Sequence, residues 1–303
     1  MTATRVPGVA SRVPDTGNRA FWALVAASVL ARAVLGYATC CLAWAIADGV
    51  RAHGAAALWS GSPALWPGAA LLAVTAAGLA RGAWSLACSA RHTIGFTASA
   101  RRHLAAAPPG LRAAADRAGI GARLAVVGMS SPFALTYGAL RPRVLASTGL
   151  AETLTGAELA AVLAHEREHL RGRDPLKNVL ARAIPARYFY LPALAGLRTR
   201  FTAGRELAAD RAARAACGTA PLAGALLKVA EGPAWAAAAP AAAMSTRALL
   251  AARITQLETG AEPPLPPAGR GTASGTAAAA VALAAAVAWS AVIVAHYMPM
   301  CMP

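Results

Sequence analysis

Three long apolar runs constrain the fold of this chain more than any other feature. They cover residues 21–47, 63–80 and 276–295, and each approaches the roughly 20 residues that a helix needs to cross a bilayer. Hydrocarbon leaves backbone polar groups without water, so such spans are predicted to be helices. The chain is also 57% hydrophobic and only 14% charged, with a mean hydropathy of +0.48. The sequence therefore predicts an N-terminal helical hairpin and a third membrane helix near the C-terminus.

Two positions complicate this arrangement. Arg32 lies near the middle of the first run, where a charge is costly. Either a long tilted helix holds Arg32 against a partner, or only residues 33–47 lie deep in the membrane. Residues 183–197 are also apolar, but Arg187 and two prolines interrupt them. We expect an interfacial or re-entrant element there, with a buried core segment as the alternative.

Basic residues predict the orientation of the membrane segments. The first loop carries one arginine, Arg51, whereas a series of arginines follows the second run: Arg91, Arg101, Arg102, Arg112, Arg117 and Arg123. By the positive-inside rule, the N-terminus and the region after the hairpin are predicted to be cytoplasmic. The net charge of +16 is compatible with nucleic-acid binding, but the basic residues are scattered and accompany no DNA-binding motif. Attraction to an anionic leaflet explains them more simply, so no nucleic-acid partner is expected.

The five residues from His165 to His169 read His-Glu-Arg-Glu-His and carry the chemistry of the chain. Thr155 and Glu158 match the capping box that starts a helix. On that helix the two histidines share a face and can bind one metal ion. Glu166 is then close enough to polarise a metal-bound water without acting as a ligand. Five cysteines without a Cys-x-x-Cys pair predict neither a disulfide framework nor a metal framework.

A downstream carboxylate completes the predicted site. Catalytic zinc takes three protein ligands and one water, and Glu206 is the expected third ligand. Asp210 lies four residues further on and is expected to accept the distal N–H of His165. One zinc ion per chain would lower the pKa of its water from 15.7 to roughly 7, with Glu166 as the general base for peptide hydrolysis. Asp174 is interpreted as a helix-end or turn hydrogen-bonding residue and not as a ligand.

Several segments together resemble the BlaR/MecR-type membrane metallopeptidases, a group of gluzincins, and more distantly the heat-shock-type membrane metallopeptidases. The resemblance covers about residues 120–220 and rests on the runs RPRVLASTGL from Arg141, ELAAVLAHE from Glu158, Arg173-Asp174, and ELAAD from Glu206. It implies that His165, His169 and Glu206 bind zinc, that Glu166 is the base, and that Asp210 supports a ligand. Relatives that sense β-lactams carry a sensor domain after the last membrane helix. This sequence ends at Pro303, so we expect a signal from another protein, the membrane or short loops.

A small sheet is predicted before the metal-binding helix. Residues 123–127 and 143–146 read as short strands, and residues 131–138 as a third strand with a turn. In similar enzymes an edge strand binds the substrate backbone by β-addition. The predicted substrate contacts are Phe133, Ala134, Leu135 and Thr136, with an ordinary small sheet as the alternative. Tyr188, Tyr190 and Arg187 are candidate oxyanion donors only because they lie between the two ligand-bearing segments.

These features predict a mainly α membrane protein with a zincin-like α+β metallopeptidase domain. The predicted divisions are a cytoplasmic tail (1–20), a transmembrane hairpin (21–90), a gluzincin domain (91–260), a Pro/Gly linker (261–275) and a C-terminal transmembrane helix (276–297). The predicted function is bacterial zinc metalloendopeptidase activity in regulated proteolysis of a protein substrate, such as a transcriptional repressor. The alternatives are a membrane quality-control protease and a non-catalytic signalling scaffold with a structural zinc site.

Overall fold

The fold is mostly helical with one small sheet. The chain is represented by a computed structural model that describes residues 15–54, 66–229, 247–263 and 270–297. The helices are α1 (Thr16–His53), α2 (Trp66–Arg102), α3 (Pro109–Arg117), α4 (Thr148–Thr153), α5 (Gly156–Gly172), α6 (Asp174–Arg187), α7 (Pro192–Cys217), α8 (Thr219–Lys228), α9 (Arg247–Thr259) and α10 (Arg270–Tyr297). The strands are β1 (Leu124–Val127), β2 (Ala134–Tyr137) and β3 (Arg143–Ser147), and a 3-10 turn spans Gly121–Arg123.

Three helices are long and apolar enough to cross a membrane, within α1, α2 and α10. Their apolar segments are Thr16–Asp48, Pro67–Arg102 and Gly271–Trp289. The second helix continues well beyond residue 80, where the predicted span ended, because no proline interrupts residues 81–102. All three expose large apolar side chains on their outer faces, which fits a location in a membrane.

The structure leaves some predicted features outside its range and adds detail to others. Arg32 is exposed on α1, and no residue that the structure describes covers it. Residues 1–14 of the predicted tail and 63–65 of the second apolar run lie outside the described residues. The predicted linker is described only in part, and its last residues, 270–275, already belong to α10.

The turn between α6 and α7 enters among the apolar helices. The hydroxyl of Tyr188 donates to the carbonyl of Ser28, twelve residues after the start of α1. That separation is about 18 Å along a helix. The same turn also contacts α2, where Gly82 packs against Arg187. A side chain larger than glycine at position 82 would push Arg187 away. Residues 183–197 therefore lie against apolar helices, which fits both the predicted re-entrant element and the alternative of a buried core segment.

The sheet has the strand order β1-β3-β2, with β1 parallel and β2 antiparallel to β3. All three predicted strands are confirmed. β2 lies at an edge and packs against α5. A core of buried apolar residues joins the sheet to α3, α4, α5 and α8, including Val144, Leu150 and Leu163. This core fixes α5, so the position of β2 next to the metal-binding motif follows from packing.

Candidate metal centre

Helix α5 carries the two histidines and the glutamate of the motif. The predicted capping box is present, since the Glu158 amide donates to the hydroxyl of Thr155 and the Glu158 carboxylate accepts from the Thr155 amide. Leu163 is fully buried in the core, which sets the rotation of the helix. His165 and Glu166 are both buried, His165 against α7 and Glu166 against β2.

Helix α7 brings Glu206 to the two histidines. Its carboxylate oxygens lie 3.6 Å from Nε2 of His165 and 3.5 Å from Nε2 of His169. The two Nε2 atoms are themselves 3.1 Å apart, and one ligand atom from each of the three residues lies within 4.8 Å of the others. Two unprotonated nitrogens at this distance repel one another, and a shared cation removes that repulsion. Two imidazoles and one carboxylate also match the donor set of catalytic zinc, so these residues fit a metal.

Behind His165 stands a group that we call the His165 triad: His165, Asp210 and Arg253. Oδ1 of Asp210 lies 2.9 Å from Nδ1 of His165. The guanidinium of Arg253, on α9, donates to both oxygens of that carboxylate at 2.7 and 2.8 Å. Asp210 is almost completely buried, with 1% of its surface exposed, so its charge depends on these two partners. Arg253 also lies 3.6 Å from the Glu206 carboxylate.

A second group of the same kind stands behind His169, and we call it the His169 triad: His169, Asp174 and Arg205. Nδ1 of His169 donates to Oδ2 of Asp174 at 2.7 Å. Nε of Arg205 donates to the same carboxylate at 2.9 and 3.0 Å. Arg173 makes this contact possible, because its left-handed backbone (φ 51°) reverses the chain between α5 and α6. The sequence predicts Asp174 as a helix-end residue, and it does begin α6. Its carboxylate, however, accepts a hydrogen bond from His169.

These neighbours shift the pKa values of the metal-free site strongly. Burial lowers the pKa of His165, but the carboxylates of Asp210 and Glu206 outweigh it and raise that pKa from 6.5 to about 10. The pKa of His169 is also raised, because Glu206 and Asp174 overcome the effect of burial. Burial raises the pKa of Glu206, but both imidazoles outweigh it and hold that pKa far below its usual range. A cation bound here would therefore meet an ionised carboxylate and would displace protons from the imidazoles.

Glu166 faces the edge strand of the sheet. The hydroxyl of Thr136 on β2 lies 2.7 Å from Oε2 of Glu166 and 3.2 Å from its backbone carbonyl. This contact holds the Glu166 carboxylate between the histidines and β2. Of the predicted substrate contacts, Ala134, Leu135 and Thr136 belong to this strand. Phe133 precedes it, its ring is buried, and its amide and carbonyl both bond to Ser147.

The structure thus brings the predicted residues His165, Glu166, His169, Glu206 and Asp210 together. It does not place the predicted oxyanion donors with them, since Tyr188, Tyr190 and Arg187 pack among the apolar helices. Two arginines and one aspartate were missed as supporting groups: Arg205, Arg253 and Asp174. Arg205 and Asp174 are adjacent to recognised motif residues, which is a usable signal. Arg253 follows a long low-complexity stretch and has no local signal.

Comparison with known proteins gives one match. Residues 85–257, more than half of the chain, match the family model described as BlaR1 peptidase M56. That range contains both triads, Glu166 and the whole sheet. No curated protein and no solved structure matches the chain.

Proposed function

The chain belongs to the BlaR1 peptidase M56 family, and from that premise we propose that it is a membrane-embedded zinc metalloendopeptidase. The resemblance seen in the sequence is thereby confirmed, and membership makes the chain a peptidase of a metallopeptidase family. One observation carries the finer proposal. The Nε2 atoms of His165 and His169 and the Glu206 carboxylate face one point, with a buried Glu166 beside them.

The roles of the metal-binding residues follow from their donors. His165, His169 and Glu206 would hold zinc. Asp174 accepts a hydrogen bond from Nδ1 of His169, and Asp210 lies 2.9 Å from Nδ1 of His165, so that each Nε2 is left for the metal. Bound zinc supplies a Lewis acid and makes hydroxide accessible near neutral pH. The protein contributes orientation, because an arginine holds each aspartate and each aspartate in turn faces the Nδ1 atom of one imidazole.

Glu166 is proposed as the general base. Its carboxylate is not among the three groups that converge on the metal, yet it is next to His165 and is oriented by the Thr136 hydroxyl at 2.7 Å. In this position it can take a proton from the attacking water and deliver it to the leaving amine. A structural metal site has no use for such a base, and this argues against a non-catalytic scaffold.

We assign substrate binding to β2. This strand pairs with β3 on one side only, so among the described strands its other edge has no partner. Ala134, Leu135 and Thr136 form this edge, and those whose backbone groups point away from β3 would add a substrate backbone there by β-addition. The Thr136 hydroxyl contacts Glu166, so a peptide on this edge would pass the general base. Phe133 is excluded from this role, because its backbone polar groups are bonded to Ser147.

The proposed biological task is regulated proteolysis of a protein, such as a transcriptional repressor, on the cytoplasmic side of the membrane. Peptidases of this family often act in signalling. The cytoplasmic position is supported by the arginines that follow the second apolar run. The start of α1 also packs against α7 near the metal centre, which supports the proposal that this end of α1 and the active site lie on one side of the membrane.

The test is the variant Glu166→Gln in the full-length chain, purified in detergent. We expect one equivalent of zinc in wild type and variant, with cleavage of an unfolded model protein lowered about 10²- to 10⁴-fold in the variant. The matched control is Glu152→Gln, which makes the same change at an exposed position on α4 and is expected to cleave normally. Wild-type rates in Glu166→Gln would refute the mechanism.

The same variant separates the rival functions. Substrates trapped by Glu166→Gln in membranes are expected to be one or a few folded regulatory proteins. A broad set of misfolded proteins would favour the quality-control protease instead. A zinc-loaded wild-type protein that cleaves neither the unfolded model protein nor any trapped membrane substrate would favour the non-catalytic signalling scaffold.

A further inference from the structure

Arg205 is buried among carboxylates from three different parts of the chain. Only 4% of its surface is exposed. NH1 contacts Asp15, which precedes α1, NH2 donates to Glu168 on α5 at 3.2 Å, and Nε donates to Asp174 on α6 at 2.9 Å. A buried guanidinium is stable only when its donors are paired, so all three carboxylates help to fix its position.

The position of this guanidinium reaches the metal centre in two steps. Asp174 Oδ2 accepts hydrogen bonds from both Arg205 Nε and His169 Nδ1. A shift of Arg205 therefore moves the Asp174 carboxylate, and the carboxylate sets the orientation of the imidazole. Arg205 is also the residue before Glu206, so the same turn of α7 carries a further candidate ligand.

The start of α1 is held against this turn of α7 by direct backbone contact. A Cβ on Gly17 would lie 2.6 Å from the amide nitrogen of Arg205, and only glycine allows that approach. Gly204 faces Gly17 across the same contact. A second link joins α1 to α6, where Lys177 donates to Asn18 Oδ1 at 2.7 Å. Asp15 is thus fixed relative to Arg205 by the packing of α1.

We infer that Asp15 is a positioning residue of the metal centre, acting on His169 through Arg205 and Asp174. The inference rests on the proposed metal site. Asp15 thereby links α1 to the orientation of His169, because it anchors one nitrogen of the Arg205 guanidinium to the start of that helix. Without that carboxylate, the remaining acidic partners of Arg205 among the described residues lie on α5 and α6, and its guanidinium is drawn away from α1.

Asp15 has a second contact, and the experiment has to separate the two. Its Oδ1 accepts from the Asn18 amide at 2.8 Å and so caps the start of α1, whereas Oδ2 contacts Arg205. Asparagine and serine are also good N-caps. Asp15→Asn and Asp15→Ser therefore keep the cap and remove the negative charge beside Arg205. Asp15→Glu keeps the charge.

The experiment uses full-length protein in detergent, loaded with Co²⁺ as a spectroscopic probe. Metal affinity is measured by chelator competition, the ligand field by the visible absorption band, and folding by thermal unfolding of the metal-free protein. We expect Asp15→Asn and Asp15→Ser to lower metal affinity about 3- to 10-fold and to change the Co²⁺ band, less than the 10- to 100-fold cost of losing a direct partner of a ligand. Asp15→Glu and the exposed control Glu152→Gln are expected to match wild type.

Each outcome has one meaning. Unchanged affinity and an unchanged band in either Asp15→Asn or Asp15→Ser overturn the inference. Equal losses in Asp15→Glu and Asp15→Asn also overturn it, because the charge would then not matter. The serine variant serves if the asparagine variant does not fold. A wild-type protein that binds Co²⁺ but cleaves no protein would refute the proposed peptidase activity, while the effect of Asp15 on the metal would still be measured.

Discussion

The two histidines of the metal centre are each supported by the same two chemical groups, a carboxylate and a guanidinium, but the supports have different surroundings. In the His165 triad, Arg253 gives two parallel hydrogen bonds to Asp210 and also has Glu206 and Glu166 as acidic neighbours, both of them within the metal centre. In the His169 triad, Arg205 contacts Asp174 and two further carboxylates. The first support is closed within the peptidase domain. The second extends to the start of α1.

This difference shows how one metal centre can combine a histidine whose support is local with one whose support extends to the apolar helix α1. A bidentate arginine fixes a carboxylate in two directions, so the orientation of His165 is set locally. The orientation of His169 depends on a guanidinium shared among α1, α5 and α6. Changes to the two triads should therefore have unequal consequences.

The largest effects are expected from the two aspartates. Asp210→Asn and Asp174→Asn should each lower metal affinity about 10- to 100-fold, because each removes the charged partner of a ligand imidazole. They should differ in the stability of the metal-free protein. Arg253 loses the carboxylate that both its nitrogens contact, whereas Arg205 keeps two others, so Asp210→Asn should be the more destabilising, by about 3 kcal/mol relative to wild type.

Chelator competition measures the affinities, and denaturant unfolding of the metal-free variants measures the stabilities. The comparison between the triads fails if Asp174→Asn destabilises the protein as much as Asp210→Asn. A loss of affinity in only one of the two variants would instead show that one histidine is not a ligand.

The sequence predicted the local parts of this centre and missed the parts that depend on tertiary structure. The capping box at Thr155, the shared face of the two histidines and the spacing of Glu206 and Asp210 are periodic or sequential features. The arginines are different. Nothing near Arg253 indicates a partner, because its aspartate lies 43 residues earlier and on another helix. Buried charges are paired by the fold, and single-sequence patterns do not encode such pairs.

The fold shows the same limit. The three strands and the apolar helices were predicted from composition and period, since each pattern is local. The end of α2 at Arg102 and the entry of Tyr188 beside Ser28 were not predicted. Helix α2 continues past residue 80 because residues 81–102 contain no proline, and hydropathy does not report this. The α6–α7 turn follows from close glycine packing on α2, which requires the partner helix to be known.

A pH-dependent difference is expected next. Because the pKa of His165 in the metal-free fold is about 10 and its unfolded value is 6.5, protonated His165 stabilises the fold fully below pH 6.5. That contribution is lost as pH rises towards 10. Metal binding has the opposite trend, because only the unprotonated imidazole is a ligand. The unfolding midpoint of the metal-free protein should therefore decrease as the pH is raised from 6.5 to 10, while metal affinity increases over the same range.

The triads separate these effects. Asp210→Asn removes a carboxylate that raises the pKa of His165, so the fall in stability with pH should be smaller in this variant. Asp174→Asn leaves Asp210 and Glu206 beside His165 and should retain most of the fall. Calorimetry in buffers of different ionisation enthalpy counts the protons released on metal binding at pH 7. No proton release in the wild type would contradict the raised pKa of His165.

The smallest effect is expected from the helix contact that holds the His169 triad to α1. A methyl group at Gly17 would lie 2.6 Å from the Arg205 amide nitrogen, so Gly17→Ala should force α1 away from α7 and cost about 1–3 kcal/mol of stability. Gly36→Ala in the same helix is the matched control, because a methyl group there meets nothing within 4 Å. Gly17→Ala should also weaken metal binding less than Asp174→Asn does, since every charge remains in place. If both glycine variants unfold and bind metal alike, the packing of α1 does not support the His169 triad, and the two histidines are held equally by the peptidase domain alone.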